Sequence, residues 1–410
     1  MLLTSMFIRK IKSVRTRFTL WITSTRRSLI SKLVVLLTQQ LWLIDHLPIR
    51  ATPKEQTLLV RLDLIGDFII WLDSASAYRD LYPNHKIVLL ANSVWASLAQ
   101  PLDYWDEVIA VDVPRLRFDD WFRLKWLIRV RIRGFAVAIQ PTYSREFVAD
   151  LCVRASKAPF RLGHLGDLSS ITLAKKAISD AWYTRLVDLR DQPELELNLN
   201  AAFVRSLGYH AFRSSLPALH YRTELSEQLS ITEPYYVIAP GASWPPKMWS
   251  AEKFASLAKH INKIYGLKLV LCGTLAERSI CEEVERTSGI ELINLAGRTT
   301  LPEMVELIRR AKLLVANDSA AVHIAIANKT NAVGIVGGGH FGRFLPYSPE
   351  QSASGGLSEV IVERMDCFGC NWRCKYLDTN TTVVPCISKI NVSSVVAACD
   401  RALGMSSESP

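Results

Sequence analysis

Four short stretches of this chain carry residues suited to a charged ligand, and each stands where an apolar run meets a turn or a helical pattern. In the first, Thr57-Leu58-Leu59-Val60 runs into RLDLIGDFIIWLDSASAYRDLYP (Arg61–Pro83), where Phe68, Trp71, Leu72, Ala75, Tyr78 and Leu81 recur at helical spacing. That pattern is strand, tight turn, helix. Gly66 lets a substrate or backbone come close and Asp67 heads the helix, so Asp67 is expected to do chemistry at the ligand-binding edge of a sheet. The second is Pro240-Gly241-Ala242-Ser243-Trp244-Pro245-Pro246-Lys247-Met248-Trp249, which leaves a strand end with a glycine, a hydroxyl at Ser243 and a point charge at Lys247. It suits a diphosphate, to which a charged hydrogen bond contributes roughly 1.5–3 kcal/mol. The plainer alternative is a solvated loop lysine beside structural prolines.

The third stretch, Ala316-Asn317-Asp318-Ser319-Ala320-Ala321-Val322-His323, opens a helix whose free amides and dipole favour an anion, with Ser319 able to donate. Asp318 and Ser319 are also ordinary helix-capping residues, and His323 can be a satisfied histidine one turn in. In the fourth, Glu277 follows the turn Gly273-Thr274-Leu275-Ala276, where an acid accepts from ribose hydroxyls or simply stabilises a first helical turn.

The elements that must position these residues are legible as alternating strands and helices. Strands are predicted at 57–62, 86–91, 107–111 and 135–140, with helices at 67–81, 93–100, 119–132 and 144–156. Residues 163–230 are more polar and less regular, with a domain junction near 222–232. Beyond it come strands at 235–239, 267–272, 291–295, 312–316 and 331–336. Helices interleave: one capped by Ser250 and ending at Gly266, one at 276–287, one opened by a Thr300/Glu303 capping box, and one at 319–328. Nearly all-apolar strands separated by helices predict parallel sheets covered on both faces. The expected fold is α/β, two doubly wound Rossmann-like domains facing across a cleft: a basic segment 1–50, an N-terminal domain 51–228 and a C-terminal domain 229–405. A length of 410 residues accommodates two such cores, and 49% hydrophobic with 21% charged residues excludes wholesale disorder.

The net charge of +10 is concentrated at the start: residues 1–50 hold nine Lys or Arg against a single acid, Asp45, a net +8. Lys32, Gln39, Gln40 and Asp45 interrupt its apolar stretches below the roughly 20 residues that cross a bilayer, and no small-residue cleavage site follows. Leu29, Leu33, Leu36, Leu37, Leu41 and Ile44 share one helical face, which suits a helix lying in a membrane interface through residues 1–48; packing on its own domain or a partner is the alternative. Arg115, Arg117, Arg123, Lys125, Arg129, Arg131 and Arg133 surround Trp121, Phe122 and Trp126. This pattern fits a membrane- or phosphate-facing surface better than nucleic acid, with a solvated helix face as the plain alternative. Cys367, Cys370, Cys374 and Cys386 cluster with spacing that admits a zinc knot, one or two disulfides, or free thiols. Cys152, Cys272, Cys281 and Cys399 read as core residues.

Taken in order, RLDLIGD, PGASWPPKMWSAEKFASLA, LCGTLAE and LAGRTTLPEMVELIRRAKLLVANDSAAVHIA resemble the lipopolysaccharide heptosyltransferases of glycosyltransferase family nine, over about residues 57–390. The resemblance implies a GT-B-type fold, with the acceptor held mainly by the N-terminal half and a nucleotide-sugar, typically ADP-heptose, by the C-terminal half. It implies a single inverting displacement without a required metal or cofactor. Asp67 then matches the general base, Lys247 the lysine that neutralises the leaving diphosphate, and Ser243 lies in the same phosphate loop. Glu277 matches the acid on the ribose, and Asp318, Ser319 and His323 match the motif near the donor phosphates and sugar. Gly66 matches the glycine before the base, with Arg61 and Asp63 in supporting roles. The chain departs from the pattern at Ala320-Ala321 and at Gly337-Gly338-Gly339-His340-Phe341-Gly342-Arg343, both on the donor side.

The expectation is a cytoplasmic enzyme, peripheral on the inner face of the bacterial inner membrane, acting on a glycolipid or lipopolysaccharide-core acceptor and no nucleic acid. Transfer of a different nucleotide-sugar to another glycolipid or a protein, and a non-catalytic nucleotide-sugar-binding protein, are the competing readings. An NAD-linked oxidoreductase is disfavoured, since the strand-to-helix turns lack GxGxxG.

Overall fold

The computed structural model describes residues 40, 44–45, 52–191, 195–347, 358–377 and 382–404. Two six-stranded sheets account for the architecture. The first contains β1 (Lys54–Arg61), β2 (Lys86–Asn92), β3 (Glu107–Val111), β4 (Phe135–Gln140), β5 (Phe160–His164) and β6 (Arg185–Val187). The second contains β7 (Tyr235–Ala239), β8 (Lys268–Leu271), β9 (Leu292–Asn294), β10 (Leu314–Asn317), β11 (Ala332–Ile335) and β12 (Ser358–Ile361). The orders are β3-β2-β1-β4-β5-β6 and β12-β11-β10-β7-β8-β9, and every strand pairing is parallel. The two sheets therefore share one doubly wound topology. Each reverses its winding at a switch point, β1/β4 in the first and β7/β10 in the second, and ligands bind in the crevice beyond the strand ends at such points. All five residues of β7 are buried, as are all four of β10 and of β11, because helices cover both faces.

One apolar cluster crosses between the halves. It holds Phe68, Ile69, Trp71 and Leu72 of the helix Ile65–Ala75 together with Ala321, Val322, Ile324 and Ala325 of the helix Ala320–Ala327. The latter helix, AAVHIAIA, is apolar nearly all round, as a helix enclosed on all sides must be. Separate cores lie on the outer faces, around Val60, Leu90 and Leu151 in the first half and around Ile238, Phe254 and Ile335 in the second.

Several elements differ from expectation. The helix expected over 67–81 is two, Ile65–Ala75 and Ala77–Leu81, because the ladder tightens at Ser76, whose carbonyl accepts Arg79 N–H at 3.0 Å. The irregular region 163–230 holds the end of β5, all of β6 and the helices Leu173–Asp180 and Glu196–Ser206. β5 and β6 are a short edge pair bearing Arg161, His164 and Arg185, so no continuous apolar run marks them. Ile44, expected on a lipid-facing stripe, is 1% exposed and packs among Leu58, Val60 and Leu127 of its own domain. Asp45 pairs with Arg131, Arg154 and Lys157. The rest of that stripe, Leu29, Leu33, Leu36, Leu37 and Leu41, lies outside the described residues. No described helix is long and apolar enough to cross a membrane.

Candidate functional site

The first wall of the site is the loop between β1 and the Ile65–Ala75 helix. Arg61 is fully buried and organises it: Nε pairs with Asp63 Oδ2 at 2.8 Å, Nη1 donates to Pro141 O at 3.2 Å, and Nη2 donates to Asp67 O at 3.0 Å. Its guanidinium also lies over the Trp71 ring, 5.1 Å from the centroid. Asp67 sits in the first helical turn, where its Oδ2 accepts Leu64 N–H at 3.3 Å and its charge meets the helix's positive end. Burial raises the Asp67 carboxyl above its ordinary range; Arg61, the Leu64 N–H and Arg343 pull it back down. The Asp63 carboxyl is raised for the same reason, against the pull of Arg61. Gly66 faces the opposite half: a Cβ there would lie 3.4 Å from His323 Cδ2 and 3.7 Å from Ala320 Cα. The turn that carries Asp67 thus abuts the helix opening after β10.

The second wall is built from the loops after β7, β8 and β10. Lys247 Nζ stands 3.7 Å from Asp318 Oδ2 and 4.2 Å from the Trp372 ring centroid, so an acid and an aromatic face hold it at the mouth of β10. Asn317 ties the loops together, donating to Pro240 O at 2.6 Å and accepting Trp249 N–H at 3.0 Å. Glu277 caps its own turn, with Thr274 N–H at 2.7 Å and Thr274 Oγ1 at 2.9 Å from Oε2. It also reaches the phosphate-loop glycine: a Cβ on Gly241 would lie 2.0 Å from Glu277 Oε1, so a side chain there would push the Glu277 carboxylate aside. Ser319 occupies the N-cap of Ala320–Ala327 and makes no side-chain capping bond there, while Ser243 is exposed. His323 is 4% exposed, with Nδ1 2.9 Å from Tyr347 Oη; burial lowers its imidazole to about 4 and keeps it neutral. Lys247, Asp318, Ser319 and His323 are therefore gathered at one strand end, with Glu277 beside the same loop.

Sequence reasoning gave no individual role to Arg343. From the glycine-rich loop after β11 it crosses to the first half, donating to Asp167 Oδ2 at 3.2 Å, Glu196 Oε2 at 3.2 Å and Ser144 Oγ at 2.6 Å. Glu196 N–H returns a bond to Arg343 O at 2.7 Å. The glycines of that loop answer to packing: a Cβ on Gly338 would lie 2.2 Å from Phe368 Cδ1, and one on Gly339 2.3 Å from Trp372 Cδ2. The run of three glycines beside a distant Trp and Phe was the available signal. Cys367, Cys370 and Cys374 are half-buried and Cys386 is buried, and none of the chain's cysteines is in a disulfide. Cys386 Sγ accepts Gly338 N–H at 3.4 Å, which fixes the same loop. Among the described residues, no three His, Cys, Asp or Glu side chains are grouped to hold a metal ion.

Chemically, the arrangement offers a carboxylate of raised basicity across a crevice from a lysine and a free helix N-terminus. The carboxylate on one wall can take a proton while the other wall holds an anionic leaving group.

Comparison with known proteins gives this geometry a context. Residues 146–367 match the family model described as glycosyltransferase family 9 (heptosyltransferase). The chain is 36% identical over 287 residues to lipopolysaccharide heptosyltransferase 3 of Escherichia coli (strain K12), an alignment covering 66% of this chain and 79% of that protein. Among solved structures it is similar to E. coli ADP-heptose lps heptosyltransferase II, with a TM-score of 0.61, 20% identity and coverage of 85% of this chain and 98% of that one. It is likewise similar to E. coli heptosyltransferase WaaC with ADP, with a TM-score of 0.60, 13% identity and coverage of 85% and 99%. At these identities the structural likeness establishes the shared GT-B arrangement of two doubly wound domains.

Proposed function

Because this chain belongs to glycosyltransferase family 9 and is a glycosyl-transferring enzyme, we propose that it moves a heptose from ADP-heptose onto a lipopolysaccharide-core or related envelope glycolipid. The division of labour follows the two sheets, acceptor on the first and donor on the second. In the reaction, Asp67 takes the proton of an acceptor hydroxyl as that oxygen attacks the anomeric carbon from the face opposite the diphosphate. The bond from the anomeric carbon to the diphosphate oxygen breaks, its electron pair leaves with ADP, and the sugar is inverted. Lys247 and the amides opening Ala320–Ala327 stabilise the departing charge, Ser243 and Ser319 donate to the phosphates, Glu277 accepts from the ribose, and neutral His323 hydrogen-bonds the donor. Asp318 orients Lys247, Gly66 gives the approach space, and Arg61 with Asp63 fixes the Asp67 turn.

The observation that carries this reading is the approach of the Gly66-Asp67 turn to His323 and Ala320, which puts an acid of raised basicity on one crevice with the anion-suited helix end. Asp67 precedes the matched residues 146–367, so its role rests on that geometry and on the sequence resemblance. The test is Asp67→Ala: transfer is expected to fall about 10²–10⁴-fold, the usual worth of a general base, while ADP affinity stays within about twofold. Near-normal turnover in that variant would overturn the assignment. Lys247→Ala is expected to weaken ADP-sugar binding about 10- to 100-fold, as loss of one charged hydrogen bond does. A different nucleotide-sugar is the second reading, favoured by Ala320-Ala321 and the 337–343 loop on the donor side. A thermal-shift screen of nucleotide-sugars separates the two, since only a bound donor raises the melting temperature by mass action.

A further inference from the structure

Among the described residues, the two most exposed aromatic side chains lie three positions apart at one corner of the first domain: Phe118 is 85% and Trp121 75% exposed. Phe118 closes the helix Val113–Phe118, and Trp121 is in the first turn of Asp120–Ile132. Neither is left over from an incomplete core, since the same helices bury Leu116, Arg123 and Leu127. The corner is basic. Between Asp112 and Arg133 the chain carries seven Lys or Arg against three Asp, and Arg115, Arg117, Lys125 and Arg129 are solvent-exposed. Arg115 pairs with Asp119 and Arg117 with Glu146, whereas Lys125 has no ion-pair partner among the described residues.

Two further observations say what such a corner meets. Gln40 accepts Arg123 Nε–H at 2.9 Å and donates to Asp120 O at 3.2 Å, while Asp45 pairs with Arg131 at the far end of the same helix. Gln40 and Asp45 thus lie against the two ends of Asp120–Ile132, and in sequence Gln40 is preceded by residues 1–39. Those residues carry eight Lys or Arg and no acid. Second, the corner follows β3, which is parallel to β2 and, through it, to β1. The loops after β3 and β1 thus leave the same sheet edge, about 10 Å apart laterally at two strand spacings. The Arg117–Glu146 pair bridges from the corner toward the site, and the Glu146 charge is felt at Asp67.

We propose that the Phe118–Trp121 corner is the point at which this protein inserts into an anionic lipid bilayer, turning the Asp67 edge toward the membrane. Trp121 and Phe118 seat in the headgroup boundary while the flanking cations Arg115, Arg117, Lys125 and Arg129 meet acidic headgroups. The proposal deepens the glycolipid-acceptor reading above and rests on it: an acceptor anchored in that bilayer reaches Asp67 without leaving the membrane.

The test uses the full chain with vesicles of phosphatidylcholine alone, of phosphatidylcholine with phosphatidylglycerol, and of the same anionic mixture with brominated acyl chains. Flotation with the anionic vesicles is expected, with little on the neutral ones. Phe118→Ser/Trp121→Ser is expected to lower the anionic partition about tenfold or more, as two large apolar side chains lose their burial. Brominated chains are expected to quench native fluorescence more than that of Trp121→Phe, which isolates this one tryptophan from the other ten. Equal quenching of native protein and Trp121→Phe, with unchanged partition of the double serine variant, overturns the proposal and leaves residues 1–39 as the whole contact. A dimer that the serine variant dissociates, with vesicle binding unchanged, overturns it in favour of a second copy. Transfer to a delipidated, water-soluble acceptor is expected to be equal in all forms, so failure of docking is distinguishable from failure of the transferase reading.

Discussion

The Asp67 carboxyl, the base of the proposed reaction, has its proton affinity set by its surroundings. It is raised by burial and held in check by Arg61, the Leu64 N–H and Arg343. A base works only when deprotonated, so kcat/KM is expected to fall as pH drops through a value above the ordinary carboxylate range, near 3.8. Arg343 lowers that value, so Arg343→Gln is expected to shift the acid limb of the pH profile to higher pH; an unshifted limb would show that the two groups are not coupled. His323, held neutral by burial, contributes no titration of its own between pH 6 and 8. At this scale Asp67, Lys247 and Glu277 were legible as candidates because each follows a recognisable turn after an apolar strand. Arg343 was not readable as a bridge, since its partners Ser144, Asp167 and Glu196 are about 150–200 residues away in sequence.

Among the elements, the glycine run 337–339 is the least obvious from sequence and the most constrained in space. Its backbone receives Gly369 N–H and Asn371 N–H at 2.8 and 2.9 Å, and its missing side chains admit Phe368 and Trp372. Trp372 in turn faces Lys247. Gly339→Ala is therefore expected to displace Trp372, costing about 1–3 kcal/mol as overpacking does and weakening ADP binding along with the melting temperature. An unchanged ADP affinity would separate the loop from the donor wall. The Thr300–Glu303 capping box, expected from sequence, is present with Thr300 N–H 2.7 Å from Glu303 Oε2. Local signals of this kind, like the caps at Ser250 and Gly266, survive intact because they involve neighbours three or four residues apart. The edge strands β5 and β6 and the terminal helix Val392–Ala402 left no comparable pattern, since sheet edges and helix faces take their identity from what they pack against.

Across the whole molecule, the two sheets meet through an apolar seam at the Ile65–Ala75 and Ala320–Ala327 helices and through the Arg343 cluster. Glu196 is 2% exposed and lies against Arg343, so Glu196→Gln removes the buried counter-charge that holds the loop across the cleft. The variant is expected to unfold at lower temperature and to scatter X-rays in solution with a larger radius of gyration, a difference that bound ADP-sugar narrows. An identical radius would mean that the apolar seam alone sets the separation of the halves.

The sequence by itself determined the fold class, the alternation of strands and helices about each switch point, and the motifs that stand at the strand ends. Those properties are encoded by period, caps and turn residues within short windows of chain. Only the tertiary structure decided that Gly66 faces His323, that Gly241 makes way for Glu277, and that Arg343 spans the cleft. It also decided that Ile44 serves a core and not a lipid face, while Phe118 and Trp121 remain outside. Each of these depends on contacts between segments far apart in the chain, where shape and charge are set by the meeting of two surfaces.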